Sequence, residues 1–339
     1  MMFRNLLFDF RILSVMRFPI PVIGVGNLSC GGTGKTPHIE YLIRLLSQKY
    51  FIGILSRGYG RKSNGFIMVS KRSQAKYIGD EPLQFVKKFD GIKVAVDENR
   101  HHGIQLLIQK YPDLGLVLLD DAFQHRFVKP GLSILLTDYH HLYMEDFVLP
   151  CGTLREFKSG AKRADIIIVT KTPKIFSPIT RRRILKDLQA CAHQKVFFSY
   201  LKYEDPIPVF DSYQNVFPEK ISNILLITGI ADDYPLREHL ARICRELTVM
   251  KFPDHYYFTE KDLEVVLSRY HGLLSKKKVI ITTEKDVMRL KTPELSTFLK
   301  ELPLFYVPIE IAFHGEDRKN FDNFTLNYVK KDTRNHSIS

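Results

Sequence analysis

The chain has 339 residues, 45% of them apolar and 26% charged, with 19 Gly and 17 Pro. That is ordinary globular composition, which excludes collagen-like, low-complexity and wholly disordered chains; the length predicts two domains or one large one. Fifty Lys and Arg against 37 Asp and Glu leave a net charge of +13, which favours an anionic partner: nucleic acid, a phosphorylated substrate or an acidic membrane face.

Residues 1–18, MMFRNLLFDFRILSVMRF, open the chain. Phe3, Leu6, Phe10 and Leu13 fall on one helical face, and Arg4 and Arg11 lie together elsewhere. Asp9 and Arg11 interrupt any signal-peptide core, and no small-residue cleavage site follows. Two readings stand: an interfacial helix on a bilayer surface, or a helix packed on the domain, since Arg17 lies inside the apolar face. The uncharged stretch 18–34 is broken by Pro19, Pro21 and repeated glycines, so it is no lipid-spanning helix. Cys30, Cys151, Cys191 and Cys244 stand far apart, so neither a disulfide framework nor a zinc cluster is expected, and a reducing compartment fits.

From Pro21 onward, short β-rich runs alternate with helical patterns. The runs PVIGVG (21–26), FIGILS (51–56), IKVAV (92–96), LGLVLLD (114–120), LSILLTD (132–138) and ADIIIVT (164–170) are apolar almost throughout. Strands of a parallel sheet buried on both faces read this way. Helical candidates such as 38–49 and 80–89 lie between them, which predicts a three-layer α/β/α core with a mostly parallel sheet. Residues 171–188 are Pro-punctuated and basic, and the core domain is expected to span 19–172. A smaller C-terminal α/β domain (173–325) follows, with runs at 196–203, 224–231, 278–286 and 304–313; the tail 326–339 is expected to fray.

The strongest local signal is IPVIGVGNLSCGGTGKTP (20–37), a β-run entering a Gly-rich turn that leaves as a helix. Glycines let backbone N–H groups face phosphate oxygens, and the new helix presents its positive end. Gly31, Gly32, Thr33 and Gly34 form the cradle, Lys35 reaches the β- and γ-phosphates, and the Thr36 hydroxyl holds Mg²⁺. The general G-x-x-x-x-G-K-S/T pattern wants Gly at position 29, where this chain has Ser29. The second signal is LGLVLLDDAFQHR (114–126), an apolar strand ending in Asp120-Asp121, where carboxylates emerge beside a phosphate loop to hold Mg²⁺. The third is GDEP (79–82): Asp80 and Glu81 precede Pro82 at a helix start, either as capping residues or as a base and a metal neighbour.

VGNLSCGGTGKTP, LSRGYGR (55–61), GDEP, DDAFQH (120–125), PCGTLRE (150–156), FPDHYYF (252–258) and TTEKDVMRL (282–290) occur in one order along the chain. In this the sequence resembles the tetraacyldisaccharide 4'-kinase (lipid A 4'-kinase) family over nearly its whole length, and Ser29 is usual for that family's loop. The resemblance implies transfer of the ATP γ-phosphate to the 4'-hydroxyl of a tetraacyl disaccharide 1-phosphate, with Mg²⁺. It also implies peripheral work at the cytoplasmic face of the inner membrane, without an obligate protein partner. Carried over, the family's phosphate-loop residues fall on Thr33, Lys35 and Thr36, its base on Asp80 with Glu81 near the metal, and its metal carboxylates on Asp120 and Asp121. Its substrate-meeting residues fall on Arg100, Arg155 and Tyr59, and the histidine paired with the base on His255. The basic charge also motivates a nucleic-acid-stimulated P-loop ATPase, but no RNP, zinc-finger or helix-turn-helix pattern is present. A GTPase-type switch lacks an NKxD sequence.

Overall fold

The apolar runs become strands because a polar position inside them would be buried without a partner. The computed structural model describes residues 2–10, 12–213, 217–218 and 220–336. Its strands are β1 (Val22–Asn27), β2 (Ile52–Ser56), β3 (Ile67–Met68), β4 (Lys93–Val96), β5 (Leu116–Asp120), β6 (Leu132–Asp138), β7 (Ile166–Thr170), β8 (Lys195–Tyr203), β9 (Ile207–Pro208), β10 (Ile221–Thr228), β11 (Cys244–Lys251), β12 (Lys278–Thr283), β13 (Leu304–Val307) and β14 (Ile309–Phe313). They form one nine-stranded sheet in the order β14-β8-β7-β6-β1-β5-β2-β4-β3 and one five-stranded sheet in the order β11-β10-β12-β13-β9. Within the first, only the edge strands β14 and β3 pair antiparallel; within the second, only β9 does. Every residue of β1, β2, β5 and β7 is buried. The fold is α/β, as the strand-helix alternation predicts.

The boundary expected at residue 172 is displaced. β8 pairs in parallel with β7, and β14 returns to pair with β8, so 195–203 and 309–313 extend the first sheet. The run LFYVPIEIAF divides at Pro308, with β13 in the second sheet and β14 in the first. Proline has no N–H for a ladder, so the chain changes sheets there. The tail also differs from expectation: Asp317–His336 is a helix. Phe321, Thr325 and Val329, four apart, are buried, and the Tyr328 hydroxyl lies 3.3 Å from both the amide N and the carbonyl O of Val22. Polar residues around those anchors conceal the stripe. Residues 337–339 lie outside the described residues.

The N-terminal helix spans Met2–Asp9 and does not continue to residue 18. Arg4 donates to the Gln124 carbonyl at 2.8 Å, and the Phe8 ring meets Phe127 edge-on at 4.9 Å. Phe10 and Ile12 beyond it are exposed. The side chains of Phe3 and Leu6, and Arg11 as a whole, lie outside the described residues. Among the described residues no helix is long and apolar enough to cross a membrane.

Candidate active site

β1 leaves the centre of the large sheet at Asn27, and the next helix begins at Lys35 with Gly34 as its N-cap at φ +85°. No side chain caps that helix, so its first-turn N–H groups remain available to an anion. Lys35 Nζ donates to Asn27 Oδ1 at 3.1 Å and lies 3.5 Å from Asp121 Oδ1. Thr170 Oγ1 donates to the Thr33 carbonyl at 3.0 Å, holding the loop to the end of β7. One turn on, burial lowers the pKa of His38 to about 4, so the ring is neutral at physiological pH. Its Nδ1 lies 2.7 Å from the Gly34 carbonyl, which can only accept; Nε2 therefore accepts from Ser199 Oγ at 3.1 Å. His38 thus ties the loop to β8.

β5, next to β1, delivers the two aspartates. Asp120 Oδ2 accepts from Ser56 Oγ at 2.9 Å; burial, then the Glu81 and Asp121 charges, push its pKa up to about 6. Asp121 has left-handed backbone, φ +49°, and its carboxylate takes both arms of Arg155 at 2.9 and 3.0 Å. Burial would raise that carboxyl, but the Arg155 hydrogen bond and the Lys35 charge hold it well below the usual range. Arg155 also donates to Asn27. Arg100 is buried and donates to the carbonyls of Asp97 at 2.6 Å and Asp120 at 3.0 Å. It braces the end of β5.

Across the cavity, Gly79 stands at φ +92°, and a Cβ there would lie 3.0 Å from the Gly58 Cα. That close approach sets the helix Asp80–Lys88 against the loop after β2. His255 Nδ1 lies 2.9 Å from Asp80 Oδ2, and Arg289 Nη1 lies 3.4 Å from the same oxygen. The hydrogen bond with Asp80 raises the His255 pKa, while burial opposes it. His255 is left-handed at φ +57°, as is common for residues held at functional sites. The Tyr59 ring packs 5.2 Å from it. Lys285 donates to Glu81 Oε1 at 2.6 Å; burial would raise the Glu81 pKa, but this ammonium brings it to about 2.

The family model described as tetraacyldisaccharide-1-P 4'-kinase matches residues 1–330. The chain belongs to this family. A tetraacyldisaccharide 4'-kinase of Bacteroides thetaiotaomicron is 46% identical over 99% of this chain and 91% of its own length. One of Flavobacterium psychrophilum is 48% identical over 98% of this chain and 94% of its own. A crystal structure titled as the "apo" form of LpxK from Aquifex aeolicus in complex with ATP superposes with a TM-score of 0.70 at 26% identity, covering 96% of this chain and 94% of that one.

In this member of the tetraacyldisaccharide 4'-kinase family, the phosphate loop 31–36, Tyr59, Glu81, Asp120, Asp121 and His255 line one cavity of about 300 Å³. Asp80, at the helix start as expected, is buried one layer behind His255, because the second lobe closes over it. Among the described residues no cluster of three or more His, Cys, Asp or Glu side chains forms a complete metal site. The donors still suit Mg²⁺, which takes few protein oxygens beside substrate phosphates. The buried Asp120 carboxylate, crowded by two others, is what a divalent cation would relieve.

Residues that the motif reading left without a role connect the lobes. Lys88 pairs with Glu40 at 2.8 Å and with Glu284 at 2.7 Å. Lys171, left-handed at φ +56°, pairs with Asp138 at 2.8 Å and Asp232 at 2.7 Å. Arg289 is buried on Asp286 and the Gly229 carbonyl while facing Asp80. TTEKDVMRL held Lys285, Asp286 and Arg289 in plain view, but their partners lie about 200 and 60 residues away, beyond any local spacing argument.

Proposed function

We propose that the chain transfers the γ-phosphoryl group of ATP to the 4'-hydroxyl of a tetraacyl disaccharide 1-phosphate, with the Asp80–His255 pair accepting the hydroxyl proton. The observation that carries this reading is His255, which lines the same cavity as the phosphate loop and is backed by Asp80 from the other lobe. Phosphoryl transfer depends on positioning and charge stabilisation. The backbone of Gly31, Gly32, Thr33 and Gly34 receives the phosphates, and Lys35 neutralises their charge. Thr36, Glu81, Asp120 and Asp121 are the residues that would hold Mg²⁺, with Arg155 steadying Asp121. Held by these residues, Mg²⁺ would supply neutralisation of charge on the β- and γ-phosphates. With Nδ1–H donating to Asp80, His255 presents Nε2 to receive the proton, and Asp80 steadies the resulting imidazolium. The exposure of Tyr59 beside His255 supports a role in stacking on the sugar.

The acceptor carries four acyl chains, so the enzyme works as a peripheral protein at the cytoplasmic face of the inner membrane. The exposed Phe10 and Ile12 and the surplus of +13 support that placement. The test is transfer of label from γ-³²P-ATP, with Mg²⁺, offered the disaccharide lipid, RNA or water alone. Label on the lipid supports the assignment; RNA-stimulated phosphate release without lipid product overturns it.

A further inference from the structure

The loop 144–158 carries a group of outward apolar side chains that neither the fold nor the reaction uses. Phe147, Leu149 and Phe157 are 64%, 53% and 51% exposed. The loop beneath them is closed and ordered. Asp146 Oδ1 accepts from the amides of Phe147 at 2.7 Å and Thr153 at 3.1 Å, and Leu149 N donates to the Leu154 carbonyl at 3.0 Å. Leu154 is fully buried as the root. A rigid loop with an apolar tip is costly in water and needs a partner.

Two observations identify that partner. The apolar tip is mixed with a cation: Lys158 Nζ sits 5.2 Å over the Phe147 ring. The tip is also continuous with the N-terminal segment. Asn5 Nδ2 donates to Glu156 Oε2 at 3.2 Å beside Phe157, and Phe8 packs on Phe127, itself 48% exposed. Exposed apolar side chains beside a lysine, on a chain with a net charge of +13, fit an anionic bilayer surface.

We propose that Phe147, Leu149 and Phe157 form a second bilayer contact, distinct from the N-terminal helix, which inserts into an anionic membrane surface. The proposal rests on the peripheral-membrane reading above. It has a mechanical corollary. Cys30 N donates to the Thr153 carbonyl and Arg155 N to the Leu28 carbonyl, both at 2.7 Å, so the same loop grips the stem of the phosphate loop. Seating the tip on lipid holds the cavity at a set height above the membrane.

The chain contains no Trp, so Phe147→Trp introduces a single reporter. Full-length protein is mixed with vesicles of phosphatidylethanolamine and phosphatidylglycerol, with or without brominated acyl chains, or of phosphatidylcholine alone. Binding is followed by sedimentation. We expect a blue shift and bromine quenching on the anionic vesicles. Phe147→Ser/Leu149→Ser, with its melting temperature and ATP binding retained, should partition about tenfold or more weakly, from the apolar area removed. If the protein sediments with vesicles while the Trp emission stays that of water and the double serine variant binds like wild type, the second contact is wrong and the N-terminal segment anchors alone. If the unaltered protein sediments with none of the vesicles, the peripheral-membrane reading itself fails.

Discussion

His255 Nδ1 lies 2.9 Å from Asp80 Oδ2 although 175 positions separate them, and each comes from a different lobe. Residues acting as one unit give non-additive losses. His255→Ala, which removes the proton acceptor, should therefore lower kcat by about 10²–10⁴-fold while ATP still binds. Asp80→Asn should lose less, with the double variant little worse than His255→Ala. Steady-state kcat at saturating ATP and lipid decides; multiplying losses would separate the two residues.

The same contact makes a pH prediction. The His255 pKa is raised by Asp80 above its unfolded value near 6.5. Its contribution to stability is therefore fully present below about pH 6.5 and lost as pH rises through the folded value. Denaturant titrations of wild type and His255→Gln should differ most on the acid side and converge on the alkaline side. A gap that widens with pH would show that the imidazolium does not stabilise the closed lobes.

Asp120 works against stability at neutral pH. Its folded pKa of about 6 stands above the ordinary 3.8, so the proton it holds favours the fold below about pH 4, and that contribution is lost as pH rises through about 6. Without divalent metal, Asp120→Asn should melt higher than wild type at pH 7.5, the gap closing toward pH 4, and it should have almost no kinase activity. A lower melting temperature for the variant at pH 7.5 would contradict the crowded-carboxylate picture.

Lys35→Ala and Thr36→Ala each remove charge stabilisation or a metal oxygen at the phosphates. Both should abolish turnover with the near-ultraviolet circular dichroism unchanged. Near-normal activity in either purified variant would remove the phosphate-loop assignment.

The C-terminal helix is structural. Phe321 is 1% exposed and packs on Phe313 at 4.8 Å between ring centroids. Phe321→Ala should destabilise by about 3–5 kcal/mol, the range for a buried aromatic truncated in a core. Urea denaturation at equal slope measures it, and a loss under 1 kcal/mol would mean that the helix is peripheral.

The amino-acid sequence by itself determined the strands of the first lobe, because continuous apolar runs of that length are stable only in a sheet covered on both faces. It determined the phosphate loop as well: the turn, the lysine and the hydroxyl are neighbours in the chain, so their chemistry is local. The ends of β5 and of the GDEP turn were legible for the same reason. Only the tertiary structure decided the rest. Pro308 passes the chain from one sheet to the other, which no composition shift announces. Arg100 turns inward to the Asp120 carbonyl, and Arg155 to the Asp121 carboxylate, because buried acceptors there require donors. Asp80 is covered by His255, and Glu81 is paired with Lys285, because the lobes close. Such pairings depend on through-space distance between residues far apart in the chain, and hydrophobic periodicity carries no record of them.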